Sequence, residues 1–332
     1  MGEPRLVDSF GRVARALRVS VTDRCNLRCR YCMPAEGMQW LPRGDLLTDD
    51  ELVRLVSLFA RLGTRDVRVT GGEPLVRPGV ADLVRRIVAV DGIGEVSLTT
   101  NGVLLAGQVD DLVGAGLRRV NVSLDSLDPE RFAAITRRRD LDRVLAGLEA
   151  CERHPQLRPI KVNVVSLRGV TEPEVVDLAA FARRKPYVIR FIEVMPLDAP
   201  REWRRELVLS GADIRSMITP HWPLIQLDPD RPSSTATRWG FADGHGELQF
   251  VSSVTEPFCA TCDRLRLTAD GQLRTCLFAD TETDLRAPLR DGADDDELAD
   301  VIRGAVLAKP AGHGMQNPDW TYRGRPMSLI GG

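Results

Sequence analysis

Short runs of β-branched and aliphatic residues alternate along this chain with stretches whose apolar residues recur at helical spacing. The runs predict strands at 17–22, 66–70, 95–99, 119–124, 160–165 and 188–193. The intervening stretches predict helices at 49–62, 80–90, 108–115, 141–153 and 172–184, the first opened by the capping box Thr48-x-x-Glu51. Strand and helix in strict alternation imply parallel βαβ units. A closed (β/α)8 barrel takes eight such units and about 250 residues, whereas six units here fill about 200. The expected fold class is therefore α/β, an incomplete (β/α)6 TIM-type barrel over residues 1–200. Residues 201–332 would form a smaller C-terminal region that covers the open side.

The chemically unusual residues collect where the predicted strands end. The first strand runs into a cysteine-bearing loop, the second into Gly71-Gly72-Glu73-Pro74 and the third into Thr100-Asn101-Gly102. Ser123-Leu124-Asp125 closes the fourth, Lys161 and Asn163 lie on the fifth, and Glu193-Val194-Met195-Pro196 closes the sixth. Barrels of this type carry their active sites at the C-terminal ends of the strands. All six features would then face one cavity.

Composition narrows the function classes. With 332 residues, 43% hydrophobic, 28% charged and a net charge of −2, the profile is that of an ordinary globular protein. A balance so close to neutral gives no field for nonspecific nucleic-acid or membrane binding. No stretch approaches the roughly 20 apolar residues of a membrane span, and the first residues lack an apolar signal-peptide core, so a cytoplasmic protein is expected. Of the 45 basic residues only three are lysine (Lys161, Lys185 and Lys309), so a single arginine carries little weight and a lysine more.

Six of the seven cysteines form two triads, Cys25-Cys29-Cys32 (C-x3-C-x2-C) and Cys259-Cys262-Cys276 (C-x2-C-x13-C). In a cytosolic chain such grouping favours metal over disulfides. A structural zinc takes four protein ligands, and a cubane iron–sulfur cluster usually takes four cysteines. Three thiolates per site would leave one iron of a cubane free to bind a small molecule. Zinc is the competing reading at both triads, though His154, His221, His245 and His313 have no ligand-like spacing to them. Cys151 stands apart as an inert buried thiol. Arg264 and Arg266, two apart, would share one face of a strand and suit an anionic, planar ligand.

CNLRCRYC resembles the signature of the radical S-adenosylmethionine (SAM) superfamily, and Gly71-Gly72-Glu73-Pro74 resembles its SAM-binding GGE motif. The resemblance implies a 4Fe-4S cluster on Cys25, Cys29 and Cys32 whose open iron chelates SAM, and whose reduction yields a 5′-deoxyadenosyl radical. It also implies that Tyr31, Gly72, Ser123 and Met195 line the SAM site, the glycine letting backbone approach the methionine end. LRVSVTDRCNLRCRYCMP, VRVTGGEPLVR, LTTNG, NVSLDSLD, RFIEVMPLD, CATCDRLRLTADGQLRTCLF and the terminal SLIGG resemble the GTP 3′,8-cyclase family, from about Gly11 to Gly332. That family catalyses the first step of molybdenum cofactor biosynthesis. The radical would remove hydrogen from C3′ of GTP, the ribose radical would attack C8 of guanine, and reduction would give (8S)-3′,8-cyclo-7,8-dihydroguanosine 5′-triphosphate.

By the same resemblance a second 4Fe-4S cluster sits on Cys259, Cys262 and Cys276 and holds the guanine. Arg18, Arg68, Thr99, Lys161, Arg190, Arg264 and Arg266 surround GTP, and the Gly331-Gly332 tail enters the active site. An electron donor and the downstream cyclic pyranopterin monophosphate synthase are the implied partners, with monomer and homodimer both open. Two departures stand out: Asp66 where a lysine is expected, and Asp263 where a neutral polar residue is common. Asp66 must either point away from a triphosphate or be compensated by another cation. The rival readings are a peptide-modifying radical SAM enzyme with an auxiliary cluster, and a non-catalytic metal protein that binds nucleic acid. Arg137-Arg138-Arg139 and Arg183-Arg184-Lys185 are read as solvated helix faces or ends, and Asp294-Asp295-Asp296-Glu297 as the acidic first turn of a C-terminal helix.

Overall fold

The computed structural model describes residues 5–317 and 320–331. The six expected strands form within two residues of their predicted ends: β1 (Ala16–Ser20), β2 (Asp66–Thr70), β3 (Glu95–Thr100), β4 (Arg119–Ser123), β5 (Ile160–Ser166) and β6 (Tyr187–Glu193). They pair in sequence order, all parallel. Helices α1 (Asp49–Arg61), α2 (Val80–Val88), α3 (Val109–Gly114), α4 (Pro129–Thr136), α5 (Leu141–Glu152) and α6 (Val175–Arg184) lie between them. The capping box at Thr48 and Glu51 forms as expected. Helix α4 has no counterpart among the predicted helices, yet its start signal is in the sequence. Asp128 caps Arg131 N at 2.8 Å and Pro129 occupies the first turn, where its missing N–H costs nothing.

Each strand has one apolar face. Leu17, Val19, Val67, Val69, Leu98, Val120, Val122, Ile160, Val162 and Val164 are buried in one core with Leu55, Phe59, Leu83, Ile87, Val144, Leu148 and Leu178 of the helices. Burying each such side chain contributes roughly 1.5–3 kcal/mol, so the helix-facing layer holds the barrel. The opposite face is polar. Register sets Arg18 between Arg266 and Arg68, Arg68 beside Ser97, Asn121 beside Lys161, and Arg190 between Asn163 and Gln249. Barrel interiors are usually filled by branched apolar side chains; this one is lined by cations and amides.

The C-terminal part supplies α7 (Gly211–Ile218), strands β7 (Leu224–Leu227), β8 (Thr237–Phe241), β9 (Glu247–Val251), β10 (Arg264–Leu267), β11 (Gln272–Arg274) and β12 (Thr283–Asp284), then α8 (Arg286–Arg290), α9 (Asp295–Leu307) and α10 (Met327–Ile330). Helix α9 is opened by Asp294 and Glu297 as a capping box, in line with the acidic run. Strand β9 adds parallel to β6 and β10 parallel to β1, giving the order β12-β11-β10-β1-β2-β3-β4-β5-β6-β9-β8-β7. These strands extend the barrel wall on both of its edges, so the open side is flanked by the very segments that carry the second triad. No described helix is long and apolar enough to cross a membrane.

Candidate active site

The first triad lies in the loop after β1, and the glycine turn after β2 holds that loop. Gly72 N donates to Thr22 O at 2.7 Å and Glu73 N to Arg24 O at 2.8 Å, prolonging the parallel pairing past the strand ends. A Cβ on Gly72 would stand 2.4 Å from Arg24 O and 2.5 Å from Asp23 O. The glycine is thus required by backbone of the cysteine loop itself, a reason the motif alone did not supply. Arg137 donates to Arg28 O at 2.8 Å and Met33 O at 3.0 Å, so it braces the far side of the loop and is not the solvated side chain expected from the arginine run.

Buried carboxylates organise the surroundings. Glu73 accepts from Thr100 Oγ1 at 2.7 Å, Asn101 N at 2.6 Å and Leu75 N at 2.9 Å, tying the second and third strand ends together. Burial still raises its pKa to about 7 against those hydrogen bonds. Asp125, raised to about 6 by burial, accepts from Tyr31 Oη at 2.5 Å and Val165 N at 2.8 Å. Asn101 Nδ2 reaches Cys25 Sγ at 3.8 Å and Asn26 Oδ1 at 2.7 Å. Glu73, Asn101 and Asp125 were expected at the cavity as polar residues that follow apolar strands, but without individual roles; Arg137 was not expected there.

In the second triad Cys259 opens a single 3-10 turn, Cys262 precedes β10, and Cys276 follows β11. Arg12 donates to Cys259 O at 2.8 Å, Ala311 O at 2.9 Å and Pro310 O at 2.6 Å, strapping the N-terminal segment over the turn. Arg274, 1% exposed, pairs with Glu282 and donates to Leu277 O at 3.3 Å and to Ala279 O, which fixes the segment bearing Cys276. Arg264 Nη2 lies 3.2 Å from Cys262 Sγ.

All six cysteines line one cavity of about 300 Å³, together with Arg18, Tyr31, Arg68, Gly72, Thr99, Ser123, Arg190, Met195, Arg264 and Arg266. Burial pushes the thiols of Cys25 and Cys32 up to about 11 and about 12, and that of Cys29 also upward. Three crowded thiols held neutral by desolvation are a donor set that a cationic iron–sulfur core would discharge, since metal ligation and deprotonation are coupled. The chemistry of the first triad therefore fits a cluster; at the second, three thiols on the same cavity, with Arg264 Nη2 beside Cys262 Sγ, form a donor set that also suits one. Among the described residues, no three His, Cys, Asp or Glu side chains converge to hold a single metal ion. Cys151 is fully buried away from both triads, as expected.

A second cavity, of about 510 Å³, shares Arg18, Arg68, Arg190 and Arg264 with the first and continues to Lys161 and Arg119. Lys161 is 6% exposed, its nearest carboxylate Asp230 at 3.9 Å. Burial lowers its pKa to about 7, and Arg190 and Arg119 push the same way. Burial and neighbouring cations likewise lower Arg68 to about 10, and Arg190 and Arg266 to about 9. Buried cations that repel one another are a site for an anion. The departure at Asp66 resolves here: its Oδ2 pairs with Arg231 Nη1 at 2.5 Å, so a compensating cation is present. Asp263 is buried, its backbone carbonyl accepting from Arg15 N at 3.0 Å and Ala16 N at 3.1 Å. At the C-terminus Arg266 Nη1 donates to Gly331 O at 2.6 Å. A Cβ on Gly331, at φ +78°, would stand 2.9 Å from Thr70 Cγ2 and 3.1 Å from Ser20 Cβ, so only glycine threads this gap. Gly332 lies outside the described residues.

The family model of the radical SAM superfamily matches residues 19–182, and that of molybdenum cofactor synthesis C matches residues 187–315. The chain is 50% identical to a GTP 3′,8-cyclase of Streptomyces coelicolor, covering 98% of this chain and 96% of the relative. It is 50% identical to GTP 3′,8-cyclase 2 of Mycobacterium tuberculosis H37Rv, with 98% and 92% covered. Among solved structures it resembles Streptococcus suis SuiB, with a TM-score of 0.61 at 15% identity over 96% of this chain and 78% of that one, a likeness of fold.

Proposed function

The chain belongs to the GTP 3′,8-cyclase family of radical SAM enzymes, and we propose an assignment of its cavity residues to that reaction. The overall reaction converts GTP to (8S)-3′,8-cyclo-7,8-dihydroguanosine 5′-triphosphate for molybdenum cofactor synthesis. Residues 1–200 serve SAM and residues 201–332 complete the substrate side. Cys25, Cys29 and Cys32 hold one 4Fe-4S cluster and Cys259, Cys262 and Cys276 the other. When bound, the first cluster with SAM would supply a 5′-deoxyadenosyl radical, and the second would serve the guanine side of the substrate.

The chain's own residues position and shield. Tyr31, Gly72, Ser123 and Met195 border SAM, with Tyr31 anchored on Asp125. Arg264 and Arg266 face the base, while Arg18, Arg68, Thr99, Arg190 and Lys161 lead the ribose and triphosphate along the lumen. One observation carries this reading: both triads open on one cavity whose wall is a continuous row of cations across β10, β1 and β2. The second cavity sets eight basic side chains against three acidic ones, an excess that suits a triphosphate. Gly331 would place the tail against that row through the Arg266 contact. An external electron donor, a cytoplasmic setting and hand-over to the downstream cyclic pyranopterin monophosphate synthase complete the assignment.

Anaerobic incubation of iron- and sulfide-reconstituted protein with reductant, SAM and GTP tests it by mass spectrometry. A GTP isomer formed together with 5′-deoxyadenosine is expected. 5′-Deoxyadenosine with GTP untouched would refute the assignment of substrate.

Lys161 adds a pH signature. Its folded pKa of about 7 makes it a cation below that value and neutral above it in the free enzyme. The KM for GTP is therefore expected to rise as pH climbs through about 7, with kcat at saturation changing less. Lys161→Met should weaken GTP about tenfold at pH 6 and flatten the profile. A profile unchanged in the variant would remove Lys161 from the phosphate path.

A further inference from the structure

Lys309 is one of three lysines and is 3% exposed, yet no role has been given to it. It follows α9 and reaches back to the loop of the second triad. Its Nζ lies 2.9 Å from Cys262 O, 3.1 Å from Arg264 O and 3.7 Å from Cys262 Sγ. An ammonium carries three N–H donors and a neutral amine two, so three acceptors on one nitrogen describe the charged form. With Arg264 Nη2 at 3.2 Å, the Cys262 sulfur has two cationic donors.

The first triad is surrounded differently. Cys25 Sγ accepts from Leu27 N at 3.4 Å and Asn101 Nδ2 at 3.8 Å, both neutral donors. Glu73 and Arg28 act on Cys25 with opposite signs and Asp125 acts on Cys29, whereas at Cys262 Arg264 and Lys309 together face the single carboxylate of Asp263. Cluster potential follows net charge and hydrogen bonds to the sulfurs, and partners of the ligands tune it. A fixed positive charge stabilises the reduced, more negative state and raises the potential.

Resting on the assignment of a cluster to the second triad, we propose that Lys309 is the positioning residue of that cluster. It clamps the Cys262–Arg264 backbone and, by its charge beside Cys262 Sγ, sets the second cluster above the first in reduction potential.

The test is an anaerobic redox titration of the holoenzyme followed by EPR, in which added SAM identifies the first cluster's signal and added GTP the second's. For Lys309→Met and Lys309→Gln, the second cluster should become harder to reduce. The oxidised-to-reduced ratio at fixed potential should rise about tenfold, which for a one-electron couple is about 59 mV downward. Lys309→Arg should restore the wild-type value, and the first cluster should not move in any variant. Loss of second-triad iron in the Met and Gln variants, with retention in the Arg variant, would equally support the clamp. An unchanged midpoint in a fully loaded Gln variant overturns the tuning role. Loss of iron in all three variants, in protein that otherwise folds, would make Lys309 a packing residue and overturn the proposal. Wild-type protein that holds no second cluster would instead overturn the underlying assignment.

Discussion

Gly72→Ala is expected to cut 5′-deoxyadenosine formation by about a hundredfold, because displacements of about 1 Å in a reacting geometry cost that much. The added methyl would stand 2.4 Å from Arg24 O and 2.5 Å from Asp23 O, and both neighbours are backbone, not the yielding end of a side chain. Either the cysteine loop or the turn after β2 must move. Moving them apart breaks the bonds from Gly72 N to Thr22 O and from Glu73 N to Arg24 O. Glu73 also anchors Thr100 and Asn101, so one methyl group disturbs three strand ends together. EPR should show the first cluster losing its response to SAM while the second keeps its response to GTP. Gly114→Ala, in α3 with nothing within 4 Å of the added Cβ, is the control and should leave both reactions unchanged. A Gly72 variant with wild-type 5′-deoxyadenosine formation would mean that the loop is not held by this backbone contact.

Cys276→Ser should separate the two halves of the chemistry. Serine keeps the shape but replaces a thiolate by a hydroxyl that does not ionise at neutral pH, so the second triad loses a ligand. About half of the iron should disappear, and 5′-deoxyadenosine should still form on addition of SAM and reductant. Cyclisation of GTP should fall by about a thousandfold or more, since the base is no longer placed for attack by C3′. The segment bearing Cys276 is held independently by Arg274 through Glu282, Leu277 O and Ala279 O, so the fold around it should persist. Thermal unfolding of the apo-proteins checks this, with little difference from wild type expected. If Cys276→Ser still cyclised GTP at the normal rate, the second triad would have no part in the reaction.

The two experiments probe opposite sides of one cavity, and their contrast is informative. The first should stop radical formation and with it everything downstream. The second should leave radical formation running without product. A variant of Lys161 lies between them, lowering GTP affinity at acidic pH while both clusters remain.

What the amino-acid sequence determined by itself is local. Six alternating strand–helix units were legible because an apolar face repeats at period 2 in a strand and 3.6 in a helix, and such periods need no knowledge of distant residues. The first cysteine triad was legible for the same reason, since ligand spacing within a loop is a short-range property, and the second because its cysteines fall within eighteen residues of chain, on either side of the β10–β11 hairpin. Glycine positions at 72 and 331 could be marked, but not why glycine stands there: the obstructing atoms are Arg24 O in one case and Ser20 and Thr70 in the other. Only the tertiary structure set β10 against β1 and β9 against β6, which brings the second triad to face the first. Only it placed Arg231 on Asp66, Lys309 on Cys262 and Arg137 under the cysteine loop. The physical reason is common to all of these. An arginine-rich chain offers many interchangeable cations, and which of them meets a given carboxylate, carbonyl or sulfur depends on distances that arise after the apolar faces have packed.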